Sequence, residues 1–148
     1  MEQDSAATFA EFTAAWGDLV GAVVRARGRE THLGEDGLTM AQAMLMRAVA
    51  ALDRPTVGAI AHALHIASPS ATRMLQQLER KGMVERHRDP EDERTILVTV
   101  TPRGEQTLTR WRAHVTERQR RLFDRIDPAQ RPLLIALLRE MGAAIEDS

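Results

Sequence analysis

A mainly α fold with a small β-wing is predicted by three observations within residues 56–101. Two capped helices stand close together, two β-rich runs follow them, and an acidic, Arg-flanked turn separates those runs. That order, a helix-turn-helix followed by a wing, suits placing one helix in a DNA major groove. The expected architecture is a winged helix-turn-helix over 38–101. It lies between an N-terminal dimerisation helix and loop in 1–37 and C-terminal dimerisation helices in 102–148. Such a chain reads a sequence and is not expected to be an enzyme.

Residues 6–32 read as a helix because Phe9, Phe12, Trp16, Leu19, Val20, Val23 and Val24 form an apolar stripe at helical spacing. Gly17 and Gly21 within it point to a close helix crossing. The polar, Gly-rich segment 27–37 ends as a loop. Thr39 and Gln42 then form a capping box for a helix running to about Leu52, which Asp53, Arg54 and Pro55 stop. Thr56 caps the next helix, with Val57, Ile60, Ala61 and Leu64 inward. Ser68 is expected to cap the one after, with Pro69 at its first helical position, Met74, Leu75 and Leu78 buried, and Gly82 at its end.

The wing is expected as a strand over 83–88, a turn over 89–93 opened by Asp-Pro, and a second strand over 95–100 with Ile96, Val98 and Val100 inward. Thr101 and Pro102 open the following helix, and Asp127 and Pro128 are expected to start the last, with Pro132 making that start irregular. Both terminal regions carry large apolar stripes: Leu108, Trp111, Val115, Leu122, Phe123 and Ile126, then Leu134, Leu137, Leu138, Met141 and Ile145. A helical bundle shared between two copies would bury them, so a homodimer is inferred.

Composition narrows the function classes. A length of 148 residues suits one domain, and 43% hydrophobic with 28% charged residues suits a soluble one. Aromatic residues make up only 3%, leaving Leu, Val, Ile, Met and Ala to build the core. The absence of cysteine excludes disulfides, thiolate metal sites and thiol redox sensing. No apolar run approaches the roughly 18–20 residues of a membrane span, and Glu2 and Asp4 replace the basic start of a signal peptide. A cytoplasmic location is therefore expected, with no membrane partner. Net charge is −1, but between residues 38 and 78 Asp53 is the single acid against Arg47, Arg54 and Arg73. All of the 20 basic residues except Lys81 are Arg. That bias suits bidentate phosphate and guanine contacts, although a GC-rich genome produces it equally well.

Double-stranded DNA is the expected partner. On the second helix of the pair, Ser70, Thr72, Arg73 and Gln77 are expected outward. Arg73 is suited to guanine, Gln77 to adenine, and Ser68, Ser70 and Thr72 to phosphate. Arg86, Arg88 and Arg94 of the wing are expected to contact DNA, Arg94 suiting a narrow A·T-rich minor groove. Asp92 is expected to hold a neighbouring guanidinium, from Arg86, Arg88 or Arg94, as a wing salt bridge. Asp89, Glu91, Asp92 and Glu93 crowd one turn and would repel phosphate unless paired or turned away. This acidity, with the near-neutral net charge, favours the alternative of a winged-helix protein–protein interaction module that does not read DNA.

The residues 68–73, LERKGMVER at 78–86, the Asp92-x-Arg94 wing and LVTVTPRG at 97–104 resemble the MarR family of bacterial transcriptional regulators. The resemblance covers nearly the whole chain. It implies a homodimer on a pseudo-palindromic operator, usually a repressor released by a small phenolic or anionic effector. It also implies that Ser70, Thr72 and Arg73 read the major groove and Arg94 the minor groove. Many relatives carry a basic residue directly before that Arg, where this chain has Glu93. The family's ligand cavity would be lined here by Trp16, Met40, Met44 and Arg47, although helical spacing makes Met40, Met44 and Trp16 ordinary core just as readily.

No cofactor or metal site is expected. His62 and His65 stand three apart on one helical face, but zinc needs a third and usually a fourth ligand, and His32 and Glu35 are not anchored. Ser68, His65 and Asp53 could be drawn as a triad, yet no nucleophile elbow or oxyanion loop accompanies them. P-loop and dinucleotide fingerprints are absent.

Overall fold

The computed structural model describes the backbone of residues 2–30 and 37–147 and the side chains of 7–26 and 37–147. Helix α1 (Glu2–Glu30) precedes α2 (Met40–Ala51), α3 (Val57–Ala63) and α4 (Ser68–Arg80). Strands β1 (Val84–Asp89) and β2 (Asp92–Val100) form an antiparallel ladder, and α5 (Pro102–Asp124) and α6 (Arg131–Glu146) complete the chain. The chain divides into two compact units, Met1–Leu108 and Thr109–Ser148.

Local chemistry sets the helix boundaries in the first unit. Thr39 Oγ1 accepts the Gln42 N–H (3.1 Å) and Gln42 Oε1 accepts the Thr39 N–H (3.2 Å), the expected capping box. Thr56 Oγ1 caps α3 by accepting the Ala59 N–H at 3.1 Å. Helix α4 ends in a Schellman motif: Gly82 takes φ +70°, its N–H donates to the Glu79 carbonyl, and the Met83 N–H donates to Leu78. The same motif closes α3, with His65 at φ 52° in the place where glycine is usual. The His65 N–H donates to the His62 carbonyl and the Ile66 N–H to Ala61. His65 therefore ends the helix instead of sharing a helical face with His62.

The core of this unit comes from Leu45, Met46 and Val49 of α2, Ile60 and Ala61 of α3, and Ala71, Leu75 and Leu78 of α4. Met83, Val84, Val98 and Leu108 close it. Full burial of each leucine stabilises the fold by roughly 1.5–3 kcal/mol. Met74, expected inward on α4, is only half-buried, and Ala71 takes the interior position. Val57 and Leu64 are likewise half-buried.

The wing is longer than expected at its tip. Its ladder runs from Val84↔Val100 to Asp89↔Asp92, with an irregularity at Arg88/Asp89, so Pro90 and Glu91 alone make the turn. Val98 is fully buried, Val100 half-buried and Ile96 exposed, because the ladder outgrows the body toward its tip. The base of β2 is tied to the α2–α3 linker, the Val98 N–H donating to the Pro55 carbonyl at 3.0 Å.

The junction into α5 explains the Thr-Pro-Arg-Gly run. Thr101 Oγ1 donates to the Gly82 carbonyl (2.6 Å) and accepts the Gly104 N–H (3.1 Å), while the Thr101 N–H donates to Met83 (3.0 Å). A Cβ on Gly104 would lie 2.1 Å from the Met83 carbonyl oxygen and 2.8 Å from Val100 Cγ1. Only glycine lets the helix approach the wing root so closely.

The apolar stripe of α1 is exposed from Phe9 (69%) to Val24 (60%), with Phe12 stacked between Phe9 and Trp16. Among the described residues, the close crossing expected at Gly17 and Gly21 is not present. A Cβ at Gly17 meets nothing within 4 Å, and at Gly21 it meets only Arg25 of the same helix. In the second unit, α6 buries none of its residues, and Leu133, Leu137, Leu138 and Ile145 are exposed. Arg131 joins the two helices there, its guanidinium 4.4 Å over the Phe123 ring and its Nε donating to the Ile126 carbonyl at 3.1 Å. Asp127 makes a turn instead of starting α6, its Oδ1 accepting the Ala129 N–H at 2.9 Å. The helix begins at Arg131 after a turn over 128–130, with Gln130 before it in helical backbone (φ −90°, ψ −15°) and no side-chain cap, so Pro132 falls in the first turn and the start is irregular.

Two substitutions test this account. Gly104→Ala should lower unfolding stability by about 2–3 kcal/mol through overpacking against Met83, read as a fall in the urea midpoint. His65→Gly should raise stability by about 0.5–1 kcal/mol by relieving the left-handed backbone at the helix-turn-helix corner. An unchanged midpoint for that variant would place the corner in another conformation.

Candidate nucleic-acid interface

Burial fixes which side of α4 faces out. With Ala71, Leu75 and Leu78 in the core, Ser70, Arg73, Gln76 and Arg80 are exposed and Thr72 is half-exposed. Ala67, not Ser68, is the N-cap, with an extended backbone (φ −67°, ψ 141°) and no side-chain cap. Ser68 is therefore the first helical residue and Pro69 the second, because the chain leaving the His65 corner enters the helix one residue early. The uncapped helix start stays open, with Ser68 and Ser70 exposed beside it.

Gln77 does not join the outward set. Its Oε1 accepts a hydrogen bond from Gln42 Nε2 at 3.1 Å, and Gln42 is 6% exposed. Gln77 lies on the flank of α4 that Gln42 of α2 reaches, whereas Gln76 is exposed. Gln76 is absent from the expected set. The signal for it was the i, i+4, i+7 spacing of Ala71, Leu75 and Leu78.

The acids of the wing turn are largely accounted for. Asp89, 5% exposed, pairs with the Arg54 guanidinium and accepts the Glu91 N–H at 2.9 Å. Among the described residues, no guanidinium pairs with Asp92. Its carboxylate accepts the Arg94 N–H (3.1 Å) and Thr95 Oγ1–H (2.7 Å), folding the turn on itself. The wing's ion pair is thus Arg54–Asp89, formed because the α2–α3 linker lies against β2. Glu91 and Glu93 remain exposed.

The arginines divide by position. Arg94 is exposed beside the turn, and Arg88 Nη1 donates across the ladder to the Glu93 carbonyl at 2.6 Å. Arg86 is drawn away from the tip: its Nε lies 3.5 Å from Glu79 Oε2, and its Nε and Nη2 are buried without a hydrogen-bond partner. The structure therefore does not place Arg86 with the outward residues.

Met40, Met44 and Arg47 form one exposed stripe of α2, and Trp16 on α1 is also exposed, so none of the four is core. The His62 and His65 rings lie 6.4 Å apart, and among the described residues no group of three or more His, Cys, Asp or Glu could hold a metal. His32 and Glu35 lie outside the described residues. No helix among the described residues is long and apolar enough to cross a membrane.

A helix-turn-helix with an outward arginine face and a basic-edged wing defines the class of winged-helix transcriptional regulators. Residues 38–96 match the model of the MarR family. Over 106 residues the chain is 31% identical to the transcriptional regulator HosA of Escherichia coli O111:H-, covering 70% of this chain and 77% of that one. It is 36% identical over 78 residues to the HTH-type transcriptional regulator YdgJ of Bacillus subtilis (strain 168), covering 53% of this chain. That match spans only 48% of YdgJ's length. Among solved structures, Streptococcus pneumoniae FabT in complex with DNA superimposes with a TM-score of 0.77 at 16% identity, covering 94% of this chain and 98% of FabT. The transcriptional repressor CouR, bound to a 23-mer DNA duplex, superimposes with a TM-score of 0.68 at 28% identity, covering 84% and 89% of the two chains. The chain belongs to the MarR family.

The wing turn carries a pH signature. The Thr95 hydroxyl first, then the Arg94 N–H and the more distant Arg54 charge, hold Asp92 below its ordinary value of 3.8, against a small opposing effect of burial. A carboxylate lowered on folding contributes its full stabilisation above the ordinary value and loses it as pH falls through the folded value. The Arg94 amide resonance, followed by NMR in acid, should therefore shift with a midpoint below 3.8. A midpoint at or above that value would mean that the turn's hydrogen bonds are not made.

Proposed function

We propose that this chain is a homodimeric, DNA-binding repressor that recognises a pseudo-palindromic operator and releases it when a small phenolic or anionic effector binds. The observation that carries the reading is the outward face of α4, where Ser70, Thr72 and Arg73 stand free of the core beside an open helix start. Ser68, Ser70 and Thr72 suit phosphate oxygens, and Arg73 suits the O6/N7 edge of guanine. Arg94 suits the adjacent minor groove, with Arg88 supporting the wing behind it. Pairing of Asp89 with Arg54 removes one source of phosphate repulsion from the turn. The DNA-bound state of CouR, at 28% identity, supports the same reading.

Dimerisation is supported by the stripes of α1 and α6, which a single chain leaves in water. Two copies would set their α4 helices about one turn of DNA apart, roughly 34 Å. Trp16, Met40, Met44 and Arg47 supply an exposed apolar and cationic surface for an effector cavity completed on dimerisation. An effector that prefers a dimer with displaced α4 helices would lower operator affinity by linkage. Exposed Glu91 and Glu93 favour the second reading, a winged-helix module that docks a protein and does not read DNA.

Operator selection from random duplexes separates the two readings, since a protein-docking module enriches no sequence. Arg73→Ala should weaken binding to the selected operator by about 1–3 kcal/mol and relax base preference. Arg94→Ala should weaken binding across sequences and reduce the slope of log affinity against log salt by about 1. Unchanged affinity and slope would remove Arg94 from the interface.

A further inference from the structure

We propose that Gln76 is a specificity-determining residue of α4, reading an adenine next to the base pair met by Arg73, and that Gln77 is a positioning residue acting through Gln42. The proposal rests on the DNA-reading function of the preceding section. Two adjacent glutamines of the same chemistry occupy different environments. Gln76 is exposed, while Gln77 is half-buried and accepts the Gln42 side-chain amide at 3.1 Å. Gln42 is itself held, since its Oε1 accepts the Thr39 N–H of the capping box at 3.2 Å. The sequence Thr39–Gln42–Gln77 thus ties the start of α2 to the middle of α4.

This tie bears on the helix's rotation. Ala71, Leu75 and Leu78 fix one side of α4 by burial, and the Gln42–Gln77 hydrogen bond holds its flank. Among the exposed residues that remain, Arg73 has Gln76 three residues on. Residues three apart on a helix are neighbours on one face, about 5–6 Å between Cβ atoms. Their offset along the axis is about 4.5 Å at the helical rise, close to the 3.4 Å spacing of stacked bases. One side chain therefore follows the other to an adjacent base pair. A free carboxamide has the donor and acceptor that adenine N7 and N6 require in the major groove. Gln77 has committed its acceptor to Gln42.

Operator selection is performed with the full-length protein and with the Gln76→Ala, Gln77→Leu and Gln77→Glu variants. Affinity for the selected duplex is then titrated over a range of salt. Gln76→Ala should lose base preference at one symmetry-related position per half-site and bind the selected duplex about 5- to 150-fold more weakly. Its salt slope should be unchanged, because a neutral side chain releases no counterions. Gln77→Leu should weaken binding to every duplex while keeping the wild-type base preference. Gln77→Glu, which keeps an acceptor for Gln42, should restore affinity, whereas a carboxylate placed directly on DNA would abolish it. A Gln76→Ala variant with the wild-type profile and affinity overturns the assignment. So does a shift of base preference in Gln77→Leu instead. If the wild-type protein enriches no sequence, the DNA-reading function fails and the assignment with it.

Discussion

The burial of one side of α4 is the constraint on which the candidate site depends. Ala71, Leu75 and Leu78 have no exposed surface, and each helix of the winged unit's core offers them apolar partners. A helix presents its residues at about 100° intervals, so fixing three positions inside fixes every position outside. Arg73 is outward for this reason, and Gln77 is turned toward α2. The small side chain of Ala71 permits this close seating, with the bulkier Met74 left at the margin.

Backbone chemistry at the helix ends places that face in space. The Schellman motif at Gly82 ends α4 and turns the chain directly into β1. The matching motif at His65 sets the angle between α3 and α4 despite a side chain that disfavours the left-handed region. Gly104 and Thr101 then close the unit, drawing the start of α5 against the wing root. Contacts at Pro55 and Arg54 hold the wing from the other side.

The rest of the molecule differs in kind. The stripes of α1 and α6 carry large apolar side chains that the described structure leaves exposed, and the small α5–α6 unit is closed by the Arg131–Phe123 contact. These exposed stripes are what the proposed homodimer would cover. In the proposed homodimer, stability and recognition would be linked, because the helices joining two copies would also set the spacing of their α4 faces.

The sequence alone determined the features whose partners lie within a few residues. The Thr39/Gln42 box, the Thr56 cap, the glycine at 82 and the Asp92 turn's flanking strands were legible because their hydrogen bonds span only short stretches of chain. The wing's existence was legible from alternation, though its turn of two residues was shorter than the five that turn composition implied. Tertiary structure alone decided the features that join distant segments. Arg54 and Asp89 lie 35 residues apart, as do Gln42 and Gln77, and nothing in the local pattern marks either pair. Asp89, read as a source of phosphate repulsion, is buried and neutralised. Gln77, read as outward, is an internal tie. In both cases the side chain's role follows from what the folded core brings beside it, which short-range periodicity does not encode.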